Sequence, residues 1–159
     1  MNDLNTSFLK ITALPDVQSS VDDRALAIER VGIRGIKQPV LMRSSNGSFS
    51  TVASFEMDVV LPADKKGTHM SRFVALIEQE HTEMDSATVA SLVKEMLPLL
   101  EAKQGRIQMR YTHFVKKIAP VSAVQSWMDY QVTYLAEATQ GIDEQIEVEL
   151  YLQAVVQVM

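Results

Sequence analysis

Hydrophobic and polar residues alternate along several stretches of the chain, and the alternation predicts β-strands. Between residues 50 and 61, apolar side chains occupy every second position from Ala53 onward, with Ser54, Glu56 and Asp58 between them. A period of two is typical of an antiparallel strand that buries one face. Strands are predicted at 32–42, 50–61, 106–115, 124–134 and 146–156. The residues 44–48, which include an Asn-Gly pair, predict a tight hairpin turn between the first two strands.

Two stretches between the second and third strands have helical spacing instead. Apolar residues from Phe73 to Ile77 are three and four positions apart, and we expect Thr68 or Ser71 to cap this helix. A second helix is expected after Asp85, with an apolar stripe made of Val89, Leu92, Val93, Met96, Leu97 and Leu100. Pro98 should kink or end it, because proline lacks the backbone donor that a helix needs.

The order strand, strand, helix, helix, strand, strand, with a fifth strand at the end, indicates an α+β protein. We expect a twisted antiparallel sheet with both helices packed on one face. Strands of about 12 residues are long compared with the usual 5 or 6. Since unpaired sheet edges promote aggregation, we expect the sheet to continue into other subunits as an oligomeric sheet or barrel. Residues 1–30 are polar and weakly periodic and are interpreted as an N-terminal arm.

Composition narrows the classes of function. The chain has 159 residues, of which 47% are hydrophobic and 22% charged, a profile typical of a soluble globular domain. Its net charge is −5 and its basic residues are dispersed, which argues against a nucleic-acid or membrane partner. No apolar run reaches about 18 residues and the start does not resemble a signal peptide, so we expect the cytoplasm. The chain has no cysteine, which excludes a thiolate metal site or nucleophile within it.

One basic loop is a candidate for anion binding. It lies where the first helix should begin, and helix N-termini present free N–H groups and a partial positive charge. The candidate substrate contacts are Lys66, Thr68, His69, Ser71 and Arg72. On composition alone, a solvated turn with a helix cap is the favoured interpretation of the same residues.

The remaining polar residues indicate no metal site. His69, His81 and His113 are expected on a loop, a helix end and a strand, without the close spacing of metal ligands. His113 fits a core position, and His81 fits a helix C-terminus.

Acidic and basic pairs on the strands have two readings. The pairs Glu56/Asp58 and Glu147/Glu149 are interpreted as the solvated face of their strands, although paired carboxylates can also bind the N–H edge of a purine or pterin. The pairs Lys116/Lys117 and Arg106/Arg110 are either ligand contacts or a solvated edge.

Several segments in fixed order resemble type IB GTP cyclohydrolase I, a family of the tunnelling-fold superfamily. The similarity covers about residues 16 to 150 and is densest around the basic loop. It is carried by Asp16–Ser20, Val31–Ile33, Leu61-Pro62, Lys66–Val74, Lys116-Lys117, Ala119–Ser122 and Gln125-Ser126.

The resemblance implies a bimodular tunnelling-fold subunit in a homotetramer. It implies conversion of GTP and water to 7,8-dihydroneopterin triphosphate and formate, at the start of tetrahydrofolate or modified-nucleoside synthesis. A divalent metal, zinc or manganese, would activate the water. In this scheme residues 31–140 form the first module and residues 141–159 the first strand of the second, while the basic loop contacts the triphosphate.

The chain departs from the family where the metal ligands are expected. The family continues with a Ser-Leu-Cys-Pro-Cys segment, whereas this chain has Gln153–Met159. We therefore expect it to be truncated before the metal site, as a fragment, a frameshift product or one piece of a split enzyme, with no catalytic or metal-binding residue of its own. The alternative is a non-catalytic tunnelling-fold remnant that acts in assembly or binds a purine or pterin nucleotide. A tunnelling-fold reductase is disfavoured, because its chemistry needs a nucleophilic thiol.

Overall fold

The computed structural model describes residues 30–62, 68–79 and 83–156. The expected N-terminal arm lies outside the described residues, apart from Arg30. The elements are β1 (Arg30–Ser44), β2 (Gly47–Val60), α1 (Ser71–Ile77), α2 (Ser86–Leu99), β3 (Gln104–Ile118), β4 (Gln125–Gln140) and β5 (Ile146–Val156).

The five described strands form one antiparallel sheet in the order β1-β2-β3-β4-β5. Each strand therefore pairs with its neighbour in the sequence. The β1–β2 turn lies at the predicted position, and its positive φ of 111° falls on Gly47, which glycine adopts without steric cost. A register shift between Ile33 and Ile36 places Gly35 at φ 72°, where β1 bulges.

Both helices pack on one face of the sheet, as predicted. α2 packs against β3, β4 and β5, and α1 packs against α2. The core joins the apolar stripe of α2 to the odd-numbered residues of β2 and β3. Its fully buried side chains include Met57, Val59, Phe73, Leu76, Leu92, Met96, Leu97, Ile107 and Met109. Gly105 lets α2 approach β3 closely, since a Cβ there would lie 2.7 Å from Cε of Met96.

The ends of α2 confirm the sequence prediction. Its N-cap is Asp85, whose side chain accepts a hydrogen bond from the backbone N–H of Thr88 at 2.9 Å. This bond satisfies one of the free donors of the first turn. The helix ends at Leu99, one residue after Pro98, and Ala102 N–H donates to the carbonyl of Leu97 at 2.9 Å.

The predicted cap of α1 is wrong. The N-cap is Met70, with no side-chain hydrogen bond, and Ser71 is the first residue of the helix. A backbone turn supplies the acceptors instead. Arg72 N–H donates to the carbonyl of His69 at 3.0 Å, and Phe73 N–H donates to that of Met70 at 3.2 Å. Because these carbonyls accept the first N–H groups, a hydroxyl cap is not needed.

The helices do not cover the whole sheet. On their side of β5, Leu150 and Leu152 are 39% and 64% exposed. The β3–β4 hairpin extends past β2, and its side chains Phe114 and Trp127 are 58% and 65% exposed. These surfaces are compatible with the expected oligomeric sheet, which stays a prediction. In the part of the chain that is described, no helix is long and apolar enough to cross a membrane.

Candidate functional site

The structure describes four of the five residues of the basic loop. Lys66 lies outside the described residues. Thr68 is half-buried, while His69 and Ser71 are exposed just before and at the start of α1. These exposed polar groups are accessible to a ligand.

Arg72 has a structural partner. Its Nη1 atom donates a hydrogen bond to the backbone carbonyl of Leu99 at 2.9 Å. Leu99 is the last residue of α2, where unpaired carbonyls and the negative end of the helix dipole favour a cation. Arg72 therefore connects the beginning of α1 to the end of α2. One of its five N–H donors makes this bond, so the residue can also act in ligand binding.

The opposite face of the sheet carries an ion-pair network centred on Asp58. Its Oδ1 accepts from Nη1 of Arg30 at 2.7 Å, and its Oδ2 accepts from Nε of Arg106 at 2.6 Å. Asp58 is only 8% exposed. The interpretation of Asp58 as part of a solvated face is therefore wrong, and Arg106 is bound to it rather than free at a solvated edge. No local sequence signal identifies this network, because its members are 28 and 48 residues apart.

Two glutamates face each other next to this network. Glu137 of β4 is the register partner of Glu149 of β5. Burial raises the pKa of Glu137, against the lowering effect of Arg106 and Arg30. The hydroxyl of Tyr151 donates to Oε2 of Glu149, and this bond raises the pKa of Tyr151 to about 12. Glu147 and Glu149 share one exposed face of β5, as predicted, and the β4–β5 register adds Glu137 opposite Glu149.

A third polar cluster connects the β1–β2 hairpin to the start of α2. Glu83 accepts hydrogen bonds from Ser48 Oγ and from Nε of Arg43, and these bonds lower its pKa. Met84 N–H donates to the carbonyl of Leu41, and Arg43 N–H donates to that of Met84. These backbone bonds occupy part of the outer edge of β1.

The described residues do not form a metal site. They contain no group of three or more His, Asp or Glu residues placed to hold an ion, and the chain has no cysteine. His69 is exposed, and His113 is half-buried with its ring 4.9 Å from that of Phe49. His81 lies outside the described part. The donors in the described ranges therefore do not fit the zinc or manganese that the resemblance implies.

The long-stranded antiparallel sheet with two helices on one face defines an α+β protein with a tunnelling-type fold. A family model described as type I GTP cyclohydrolase folE2 matches residues 14–159. The chain belongs to this FolE2 family of GTP cyclohydrolases.

Individual relatives agree with the family match. The chain is 58% identical over 156 residues to the GTP cyclohydrolase FolE2 of Polynucleobacter asymbioticus, covering 98% of this chain and 57% of the relative. It is 51% identical over 141 residues to GTP cyclohydrolase FolE2 2 of Cupriavidus metallidurans, and the match covers 89% of this chain and 51% of the relative. It is 46% identical over 152 residues to the GTP cyclohydrolase FolE2 of Bordetella pertussis, and the match covers 94% of this chain and 56% of the relative. The chain thus spans about half the length of the curated relatives it matches.

Proposed function

We propose that this chain is part of an enzyme that hydrolyses GTP to 7,8-dihydroneopterin triphosphate and formate, of the type IB class. The proposal rests on one observation: 58% identity to a GTP cyclohydrolase FolE2 over 98% of the chain. The reaction consumes a nucleoside triphosphate, so we place it in the cytoplasm. The product would feed tetrahydrofolate or modified-nucleoside synthesis.

In the proposed enzyme, this chain supplies the scaffold and contacts to the substrate. The described residues lack a metal-binding group, so we assign them neither a catalytic residue nor a metal ligand and derive no step through a metal. The divalent ion, zinc or manganese, would be bound by residues that correspond to the rest of the longer relatives. We further propose the boundaries 1–30 for an arm, 31–140 for a first module and 141–159 for the first strand of a second, in a homotetramer.

The proposed substrate contacts of this chain are to the triphosphate. A triphosphate carries several negative charges, and cations and hydroxyls at the beginning of a helix suit its oxygens. Exposed His69 and Ser71 leave this surface open to a ligand. The residues proposed are Lys66, Thr68, His69, Ser71 and Arg72.

Substitution of the loop tests this assignment. Lys66→Ala and Ser71→Ala should each weaken GTP binding by about five- to tenfold in a calorimetric titration, since each removes one contact to a phosphate oxygen. Lys94→Ala is the matched control, because Lys94 is an exposed lysine of α2 that is not part of the loop. Equal affinities in all three variants would contradict the assignment. Arg72→Ala is a poorer test, because it also breaks the bond to Leu99.

A second candidate function is binding of a purine or pterin nucleotide without turnover. The absence of a metal-binding group from the described residues favours it for the isolated chain. It predicts that the chain binds GTP equally well with and without a chelator and releases no formate. Release of formate in proportion to added zinc or manganese would exclude this alternative.

A further inference from the structure

The outer half of the β3–β4 hairpin carries exposed aromatic side chains on the face of the sheet away from the helices. The β2–β3 ladder ends at the pair Ser54 and Arg110, whereas among the described strands only β4 accompanies β3 on to Ile118. Phe114 and Trp127 lie in this extension, and each is more than half exposed. Aromatic side chains bury about 150 to 250 Å² each when they are covered, so this pair leaves on the order of 200 Å² of apolar surface in water.

The tip of the hairpin is also apolar, and hydrogen bonds fix its backbone. Ala119 N–H donates to the carbonyl of Val124 at 2.9 Å, and Ala123 N–H donates to that of Ala119 at 3.0 Å. Glycine, asparagine, aspartate and serine dominate most turns. This turn instead exposes Val121 and Val124, next to the exposed Ile118 at the end of β3. Contiguous apolar surface of this extent typically marks a contact with another molecule.

Four side chains of the extension form the corners of a rectangle. Phe114 is the register partner of Asp129, and the next pair on this face is Lys116 and Trp127. Partners lie about 5 Å apart across the ladder, and successive pairs on one face lie about 7 Å apart along it. The aromatic residues occupy one diagonal, with ring centroids 6.5 Å apart, and the opposite charges occupy the other. Lys116 Nζ lies over the ring of Trp127, 5.6 Å from its centroid.

This arrangement is complementary to a second copy of itself. A two-fold axis in the plane of this face, along the aromatic diagonal, places Phe114 and Trp127 each against the same residue of the second copy. The same rotation brings each Lys116, whose long side chain covers the difference between the two sides of the rectangle, to Asp129 of the other copy. The strands of the two copies then cross at a steep angle, closer to orthogonal than to aligned sheet packing. Such self-complementary contacts are typical of homodimers.

The surroundings of the rectangle resemble those of an interface core. Interfaces place aromatic side chains at a dry centre and polar groups at the rim. The row next to Phe114, toward the rest of the sheet, is polar, since Gln131 Nε2 donates to Thr112 Oγ1 at 3.0 Å. An interface of standard size buries about 800 Å² per partner, so the contact has to extend from the aromatic pair to the apolar tip.

We propose that this chain associates with a second copy through the outer half of the β3–β4 hairpin. Phe114 and Trp127 form the centre of the contact, and Lys116 pairs with Asp129 of the other copy. The proposal rests on the homotetramer of the proposed function and names one surface that forms it. Charge favours this occupant, because the rectangle has one cation and one anion, whereas a nucleic acid or an anionic lipid surface requires an excess of cations.

Sedimentation equilibrium of the 159-residue chain tests the proposal, at concentrations from about 1 to about 200 μM. The parent should associate reversibly. Trp127→Ser should raise the dissociation constant of self-association by about tenfold or more, because tryptophans at the centre of an interface dominate its affinity. Ile142→Ser is the matched control and should leave the constant unchanged. Ile142 is a fully exposed apolar residue that follows the opposite end of β4.

The charged residues provide an arm that a folding defect cannot imitate. Lys116→Glu and Asp129→Lys should each raise the dissociation constant by about tenfold, since each places like charges together at both symmetry-related contacts. The double variant restores opposite charges and should return to within about threefold of the parent. Urea unfolding of every variant verifies that the chain remains folded.

Several results would overturn the proposal. They are a parent that stays monomeric over the whole range, a Trp127→Ser variant that associates like the parent or no worse than Ile142→Ser, and a double charge variant that associates no better than the single ones. A monomeric parent also contradicts the homotetramer, whereas the other results leave it intact with a different surface. Binding of a monomeric parent, but not of Trp127→Ser, to vesicles of anionic lipid would assign the patch to a membrane surface. Formate release from GTP is a separate measurement, so failure of the proposed activity is distinguishable from failure of this contact.

Discussion

Asp58 is the residue whose substitution most directly tests the structure of the polar face. It bridges Arg30 of β1 and Arg106 of β3 at 2.7 and 2.6 Å, so it connects three adjacent strands. Asp58→Asn keeps the shape of the side chain and removes its charge. Two arginines would then face each other without a counter-ion between them.

The expected loss of stability depends on how deeply the ion-pair network is buried. Removing one partner of a fully buried ion pair costs about 3 to 5 kcal/mol. The arginine side chains retain 27% and 18% exposure, so water compensates part of this loss. Asparagine also keeps one oxygen that can accept a hydrogen bond. We therefore expect Asp58→Asn to lower the free energy of unfolding by about 2 kcal/mol.

Equilibrium unfolding in urea measures this change, and the chain offers a matched control. Glu56 lies two residues earlier on the same face of β2, and its 3.8 Å ion pair is to an Arg34 side chain that is 84% exposed. Exposed ion pairs contribute little to stability. Glu56→Gln should therefore change the free energy of unfolding by less than about 0.5 kcal/mol. If the two variants lose the same amount, the network does not stabilise the sheet and the reasoning is refuted.

Three further changes test the fold. Asp85→Ala removes the cap of α2 and should cost about 1 kcal/mol in urea unfolding at neutral pH. The hydrogen bond from the backbone N–H of Thr88 lowers the pKa of Asp85. The contribution of the cap is therefore present above pH 3.8 and should disappear as the pH falls through the lowered pKa. If the variant and the parent differ in free energy of unfolding by the same amount in acid as at neutral pH, the prediction is contradicted. Phe73→Ala empties a fully buried site and should cost about 3 to 5 kcal/mol, or leave too little folded protein for a thermal melt. Gly32→Ala would place a Cβ 1.9 Å from the carbonyl oxygen of Met57. It should lower the free energy of unfolding by at least about 2 kcal/mol. Stability equal to that of the parent would mean that β1 and β2 are further apart than described.

The elements were predictable because each is encoded by local periodicity. The strand predicted at 50–61 is β2, Gly47–Val60, and its alternating burial follows from the period of two. The start of α2 was predictable because an aspartate N-cap is a local signal. The order of the elements and the single helical face of the sheet follow from the same pattern.

The polar contacts across the sheet were not predictable in the same way. Asp58 and Arg106 are 48 residues apart, and Glu137 meets Glu149 only through the β4–β5 register. A sequence shows which residues share a strand face, but not which residue of the next strand lies opposite. The same limit applies to Arg72, whose partner is a backbone carbonyl at the far end of another helix.

The candidate substrate loop stays a prediction. Its residues came from the resemblance and from the general affinity of helix N-termini for anions. The structure describes Thr68, His69, Ser71 and Arg72. It also shows that Arg72 donates a hydrogen bond to the backbone carbonyl of Leu99, a contact that composition alone does not reveal.

Formate release from GTP tests the central claim, that this chain is a scaffold and substrate-binding part of a GTP cyclohydrolase. The assay compares the 159-residue chain with a fusion of that chain to the remaining part of the Polynucleobacter asymbioticus relative, each supplied with zinc or manganese. The account predicts formate from the fusion and none from the chain alone. Turnover by the chain alone, with a stoichiometric bound metal, would contradict it, and so would a folded, metal-loaded fusion that releases no formate.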